Sequence, residues 1–201
     1  MIIAVANLKG GCGKTTSAIG LATAAARDGK TVKVLDADSQ ASACLWAEYA
    51  EEASSPLPFA VDVANMVTMK RQTKTAKGSW DEWVIIDCPP SGNVIDAAAE
   101  IADMVVVPTG TGQADFSKAF AVTQTLEANE KTYAVLITQA RKNTSSLNST
   151  LIDLNTHDVS FFETIIYQRE DLKAYYGNAF GSDLYGYEAV YDEIKECLEE
   201  E

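Results

Sequence analysis

Short apolar runs alternate with longer segments of helical spacing along nearly the whole chain. Runs at 2–6, 31–35, 59–63, 83–86, 104–108 and 133–138 have the length and Val/Ile content of strands, and several are continuously apolar. Continuous apolarity is expected of strands covered on both faces. Between them, apolar residues recur at helical spacing over 15–28, 39–52, 64–77, 94–102 and 115–130, the first ending at Gly29. Beyond Thr144 the pattern predicts a helix to residue 155, a short strand over 161–166 and a closing helix over 187–198. Strand alternating with helix predicts βαβ units, hence an α/β fold with a single open, mostly parallel sheet and helices on both faces. No repeat or low-complexity linker interrupts it, so residues 1–201 read as one domain.

Composition narrows the setting. No stretch approaches the ~20 apolar residues of a membrane-spanning helix. The first strand begins at Ile2, which leaves no room ahead of it for a signal peptide, and a cytoplasmic protein is expected. Cys12, Cys44, Cys88 and Cys197 are scattered and include no CxxC pair, which excludes a zinc ribbon. The net charge of −13 repels polyanions on average. Residues 64–78 run against that average, with Lys70, Arg71, Lys74 and Lys77 and no acid. The stretch 183–201 is the reverse, rich in carboxylates with Lys195 its sole base.

The first apolar run leads into Lys9-Gly10-Gly11-Cys12-Gly13-Lys14-Thr15-Thr16, which opens the first helix. Backbone N–H groups of such a turn can converge on phosphate oxygens, and glycines permit the dihedrals and the close approach. The helix end adds its positive pole. Lys14 supplies a charge for β- and γ-phosphates, and the Thr15 hydroxyl a ligand for Mg2+. Two acids, Asp36 and Asp38, close the second apolar run, and Asp87 closes the fourth within Asp87-Cys88-Pro89-Pro90-Ser91. An apolar strand ending in Asp suits a carboxylate that meets Mg2+ through water. Either Asp36 or Asp38 could cap the helix that follows.

The loop departs from the common phosphate-loop form, because Leu8 stands where that form has Gly and an extra lysine follows at Lys9. In this it resembles the deviant Walker A motif of the MinD/ParA group of P-loop ATPases, and the short plasmid-partition ParA type in particular. Asp36-Ala37-Asp38-Ser39-Gln40 is similar to that family's Asp-x-Asp-Pro-Gln segment, with Ser39 for Pro, and the Asp87–Ser91 run matches its Walker B region. The resemblance implies ATP and Mg2+ as ligands, weak ATP hydrolysis stimulated by a partner, and an ATP-dependent homodimer able to build higher assemblies. In such a dimer Lys9 reaches the opposite subunit's ATP, Lys14 serves its own, and Asp38 positions or polarises the attacking water, with Asp36 a structural carboxylate behind it. Phosphates would lie on residues 9–16, with Thr15 and Asp87 at the metal.

The run Leu136–Arg141 is similar to the family's adenine-side segment, which makes Arg141 a candidate for the base; a solvated loop arginine is the plain alternative. Glu163–Arg169 is similar to a later ParA segment. DNA partition with a ParB-like adaptor is the implied task, with nucleoid association where non-specific DNA is bound through Lys70, Arg71, Lys74 and Lys77. Positioning of a protein cargo, such as a microcompartment or a chemoreceptor cluster, is the alternative. The acidic ending Ile194–Glu201 argues against the basic lipid-binding helix of a membrane-cycling relative, and the cysteine positions, which do not match the paired cysteines such proteins need across a dimer, argue against an iron–sulfur carrier.

Overall fold

A computed structural model describes residues 1–199; Glu200 and Glu201 of the acidic ending lie outside the described residues. The elements run β1 (Ile2–Val5), α1 (Lys14–Arg27), β2 (Thr31–Asp36), α2 (Ser42–Glu52), β3 (Ala60–Val63), α3 (Met66–Gln72) and β4 (Glu82–Asp87). They continue with α4 (Gly92–Ile101), β5 (Met104–Thr109), α5 (Gln113–Ala128), β6 (Tyr133–Ile137), α6 (Ser145–Thr156), α7 (Glu170–Ala174) and α8 (Tyr187–Glu199). The strands form one six-stranded sheet in the order β3-β2-β4-β1-β5-β6, and every pairing is parallel.

Alternate residues of the central strands feed two cores. Ile3, Val5, Trp83 and Ile85 face α1, α2 and α8, whereas Ile2, Ala4, Val84 and Ile86 face the layer of α3 to α6. This is why those strands read as unbroken apolar runs: a period of two has no polar face to show when both faces are covered. Register then sets the edge that matters. Val5 pairs with Asp87, and Asp36 pairs with Asp87 from the other side, so the carboxyl ends of β1, β4 and β2 stand abreast. The chain turns toward the β3 edge of the sheet after β1 and toward the β6 edge after β4, the arrangement that leaves a crevice at the strand ends.

The six strands fall where the apolar runs predict them. Three other expectations change. The predicted strand over 161–166 is not one: isolated bridges flank it, Val135 to Phe161 and Ala140 to Tyr167, and between them the Phe162 and Ile166 N–H groups reach the Val135 and Ile137 carbonyls of β6 without a continuous ladder. The ladder is interrupted at Thr164, the next donor after Phe162, whose N–H goes to the Glu193 carboxylate of α8 (3.1 Å) as does that of Glu163 (2.7 Å). The basic helix over 64–77 shortens to α3. Asn65 and Thr68 cap its start reciprocally, and the Thr73 hydroxyl bonds back to the Met69 carbonyl (2.9 Å) where it ends. Lys70 and Arg71 lie on this helix, while Lys74 and Lys77 follow it in turns. Lastly, α2 starts at Ser42 rather than residue 39, because residues 38–41 form a turn in which Ala41 adopts φ 52°.

The helix α8 closes the first core over α1. Tyr187 lies flat on Gly20, and its hydroxyl meets Ser17 Oγ at 3.1 Å. A Cβ at Gly20 would stand 2.5 Å from the Tyr187 ring, too close for any side chain. Gly20→Ala gains intrinsic helix propensity but overpacks this contact, and overpacking costs about 1–3 kcal/mol against a gain of about 1. The expected outcome is a net loss of stability, read as a lower midpoint in urea unfolding; a midpoint at or above wild type would contradict the close packing of α8 on α1.

Candidate functional site

The loop between β1 and α1 is built from glycine dihedrals and fixed from outside. Gly11 (φ 74°) and Gly13 (φ 83°) are left-handed, and Gly13 sits at the start of α1. Buried Asn7 ties the loop to β5: its amide donates to the Pro108 carbonyl (2.7 Å), and its Oδ1 accepts from the Lys9 N–H (3.0 Å). From the end of β6, the Thr138 hydroxyl donates to the Cys12 carbonyl (2.8 Å) and the Gln139 amide to the Gly11 carbonyl (2.9 Å). Carbonyls of the loop are thus turned toward protein partners. The site reached by Gly10 and Gly11 stays open, with nothing within 4 Å of where their Cβ atoms would be.

Lys14 is 8% exposed, and its ammonium donates to the Lys9 carbonyl (2.9 Å). Burial pushes the Cys12 thiol pKa up, with Lys14 and Lys9 pulling it part of the way back, so Cys12 packs as a neutral side chain. The Thr15 hydroxyl donates to Asp87 Oδ2 at 2.6 Å. Asp87 is 1% exposed and its other oxygen, Oδ1, has no hydrogen-bond partner. Burial, with the Asp36 carboxylate as a smaller contribution, raises the Asp87 pKa to about 7 against the pull of Thr15 and Lys14. A buried carboxylate with a bare oxygen beside a threonine hydroxyl fits a hard divalent cation. Among the described residues, no group of three or more His, Cys, Asp and Glu side chains could hold a metal by itself. Two protein oxygens suit Mg2+, which keeps most of its shell as water and substrate phosphate.

The two acids after β2 separate in role. Asp36 is buried and accepts three backbone N–H bonds, from Asp38 (3.1 Å), Ala43 (2.9 Å) and Cys44 (3.0 Å). It therefore caps α2, whose own N-cap residue, Ala41, has no side-chain acceptor. Asp38 instead closes a turn by accepting from the Gln40 N–H (2.9 Å) and stands on the wall of a cavity of about 660 Å3. Gly10, Lys14 and Thr15 line that cavity, and Trp46 and Tyr176 form its far wall. A second cavity of about 310 Å3 shares Gly13, Thr16 and Gln139 with it and extends to Ile166, Tyr167 and Leu172.

Of the residues singled out from sequence, the structure brings Lys14, Thr15, Asp38 and Asp87 together around one crevice. Lys9 lines neither cavity; its ammonium pairs with Asp115 in the first turn of α5. Arg141 also lies outside both cavities and holds the Gln168 side chain (2.9 Å), which lines the smaller one. Lys70 pairs with Glu100 (2.9 Å), and Arg71, Lys74 and Lys77 are exposed away from the crevice. Sequence reading missed Asn7, Thr138 and Gln139 as loop supports, Trp46 and Tyr176 as cavity wall, and Asp115 as the partner of Lys9. Only proximity in the motif hinted at any of these: Asn7 stands two residues before Lys9, and the Thr138-Gln139 pair lies in a run whose interest had rested on Arg141.

A family model described as the CobQ/CobB/MinD/ParA nucleotide binding domain matches residues 3–179. The chain belongs to this family. The Halothiobacillus neapolitanus maintenance of carboxysome distribution protein A is 31% identical over 153 residues, which are 75% of this chain and 64% of that protein. The Caulobacter vibrioides chromosome partitioning protein ParA is 29% identical over 170 residues, 65% of this chain and 62% of that one. The chain spans 52–64% of the length of the carboxysome-distribution relatives it matches. Among solved structures, Mycobacterium smegmatis cobyrinic acid a,c-diamide synthase with bound ATP analogue and magnesium superposes with a TM-score of 0.71. It is 19% identical, the match covering 96% of this chain and 93% of that one, a likeness of fold. In this ParA/MinD-type fold the crevice described above lies at the carboxyl edge of the sheet.

The bare Asp87 oxygen has a measurable consequence without ligand. A carboxyl whose folded pKa is raised destabilises the folded state once it ionises; the penalty is absent below the ordinary value near 4 and complete above about 7. Asp87→Asn removes the charge, so the nucleotide-free, metal-free variant is expected to be more stable than wild type at pH 8 by about 1–3 kcal/mol. The gain should vanish near pH 4. Denaturant titrations at the two pH values check this, and equal stabilities at pH 8 would contradict the assignment.

Proposed function

We propose that this ParA/MinD-type chain is a Mg-ATP hydrolase whose ATP-bound form is a dimer that positions a cargo in the cytoplasm. The observation that carries the reading is the pairing of a glycine loop around buried Lys14 with the Thr15–Asp87 contact, whose second carboxylate oxygen is bare. The larger cavity takes the triphosphate on the backbone of residues 10–16. The smaller one, continuous with it through Gly13 and Thr16, takes the base between Gln139 and the Ile166–Leu172 stretch, with Arg141 acting through Gln168.

Lys14 gives up the Lys9 carbonyl for the β- and γ-phosphates. Thr15 would hold Mg2+ directly and Asp87 through water, and the ion would supply charge neutralisation at those phosphates. Asp38, free of helix capping, orients water at the γ-phosphate, and Lys9 crosses to the partner subunit's nucleotide. Catalysis is positioning and charge neutralisation, as in other phosphoryl transfers, and basal turnover is slow until an adaptor protein binds the dimer.

Two cargoes suit such a switch. Plasmid or chromosomal DNA with a ParB-like adaptor is supported by the likeness to the Caulobacter ParA. A protein assembly is supported by the likeness to the carboxysome distribution protein. Non-specific DNA contact would fall to Arg71, Lys74 and Lys77, since Lys70 is engaged with Glu100. Phosphate contacts of that kind weaken as salt rises.

Lys14→Ala is expected to abolish nucleotide binding in calorimetry. Asp38→Ala is expected to bind ATP with Mg2+ and to dimerise, yet to release phosphate at least about a hundredfold more slowly than wild type. An Asp38→Ala protein that stays monomeric with ATP, at a concentration where wild type is dimeric, would refute the role given to Asp38. For the DNA contact, the ATP-bound dimer of an Arg71→Ala/Lys74→Ala variant should bind random-sequence duplex more weakly, with a shallower salt slope. Unchanged affinity and slope would remove DNA contact from this cluster.

A further inference from the structure

The lysine that must serve another subunit is engaged within its own. The Lys9 ammonium pairs with the Asp115 carboxylate, and the two side chains are 40% and 17% exposed, so the pair is half-sheltered. Asp115 is held in place from two directions. It stands in the first turn of the 16-residue α5, where the helix end favours a negative charge. It also lies against Gly110, where a Cβ would come within 2.5 Å of Asp115 Oδ2, so only glycine leaves room for the carboxylate. The backbone of Lys9 is pinned as well. Its N–H bonds Asn7 Oδ1, and its carbonyl accepts from the Lys14 ammonium (2.9 Å) and the Cys12 thiol (3.2 Å).

We propose that Asp115 is a positioning residue for Lys9, holding it in cis in the nucleotide-free subunit and so setting the protein concentration at which the ATP dimer forms. The inference rests on the dimer reading of the previous subsection. One ammonium cannot stay on Asp115 and also reach a phosphate across an interface, so assembly must break this contact in each subunit. A contact present only in the separated state weakens association by its own strength. The two lysines are linked through the Lys9 carbonyl: a triphosphate that draws Lys14 away removes one of the bonds that pin the Lys9 backbone. Nucleotide binding thus loosens the latch before a second subunit arrives.

The test is sedimentation equilibrium of the full chain with Mg2+ and a non-hydrolysable ATP analogue. Asp115→Asn should lower the dimer dissociation constant by roughly tenfold, since assembly breaks two half-exposed pairs. Nucleotide affinity of the dilute monomer should not fall, because a contact that nucleotide loosens cannot be one that nucleotide needs. Asp115→Ser, which keeps a polar residue in the first turn of α5, is the second variant and should shift in the same direction. In a Lys9→Ala background, Asp115→Asn should give no tightening. A purely structural Asp115 would instead yield a lower melting temperature and a weaker dimer, and that result overturns the proposal. So does tightening that persists without Lys9, because it would then come from the charge of the face. A wild type that remains monomeric with the analogue at every concentration would sink the dimer reading itself, a failure told apart from the latch by the wild-type arm alone.

Discussion

Parallel pairing of β4 with β1 on one side and β2 on the other brings Asp87 level with both Val5, where the glycine loop begins, and Asp36, where the turn that carries Asp38 begins. A slip of one residue would turn Asp87 toward the other face of the sheet and bury Ile86 or Cys88 in its stead. The register is protected by the cores on either face, since each slipped strand would carry its apolar set into the wrong layer. The Thr15–Asp87 bond is the visible result: two side chains 72 residues apart, placed at 2.6 Å by strand pairing rather than by any local preference.

Around that contact the crevice is organised by polar groups that hold backbone in place. Asn7, Thr138 and Gln139 engage loop carbonyls and the Lys9 N–H, and Asp36 spends its carboxylate on the first N–H groups of α2. The division between Asp36 and Asp38 follows. A carboxylate saturated by three backbone donors is a structural cap, while its neighbour two residues on is left at the cavity wall. Asp87 is the reverse of Asp36: equally buried, with one oxygen bare, it is destabilising until a cation arrives. Such a residue makes the folded state wait for its ligand.

The aromatic wall and α8 show how much of the site comes from the far end of the chain. Tyr176 packs on Trp46 with ring centroids 5.2 Å apart, and Tyr187 clamps Gly20 in the helix that carries the phosphate loop. Both tyrosines are more than 125 residues from the partners they touch, in a region whose sequence pattern promised only a strand and a helix. The failed strand over 161–166 has the same origin, because the Thr164 N–H goes to Glu193 of α8 instead of to β6.

What the amino-acid sequence settled by itself is what local rules control. Six apolar runs foretold six strands, since burial on both faces leaves a signature of continuous apolarity, and the Lys9–Thr16 run was legible as a turn between strand and helix because glycine dihedrals and a helix start are local properties. Tertiary structure alone decided which acid caps and which faces the cavity, that Arg141 holds the Gln168 side chain, and that the basic cluster is split between a short helix and its following turns. It alone decided that Lys9 is held by Asp115, a partner 106 positions away. Each of those outcomes depends on which distant group reaches a donor or acceptor first, and spacing along a chain carries no record of that contest.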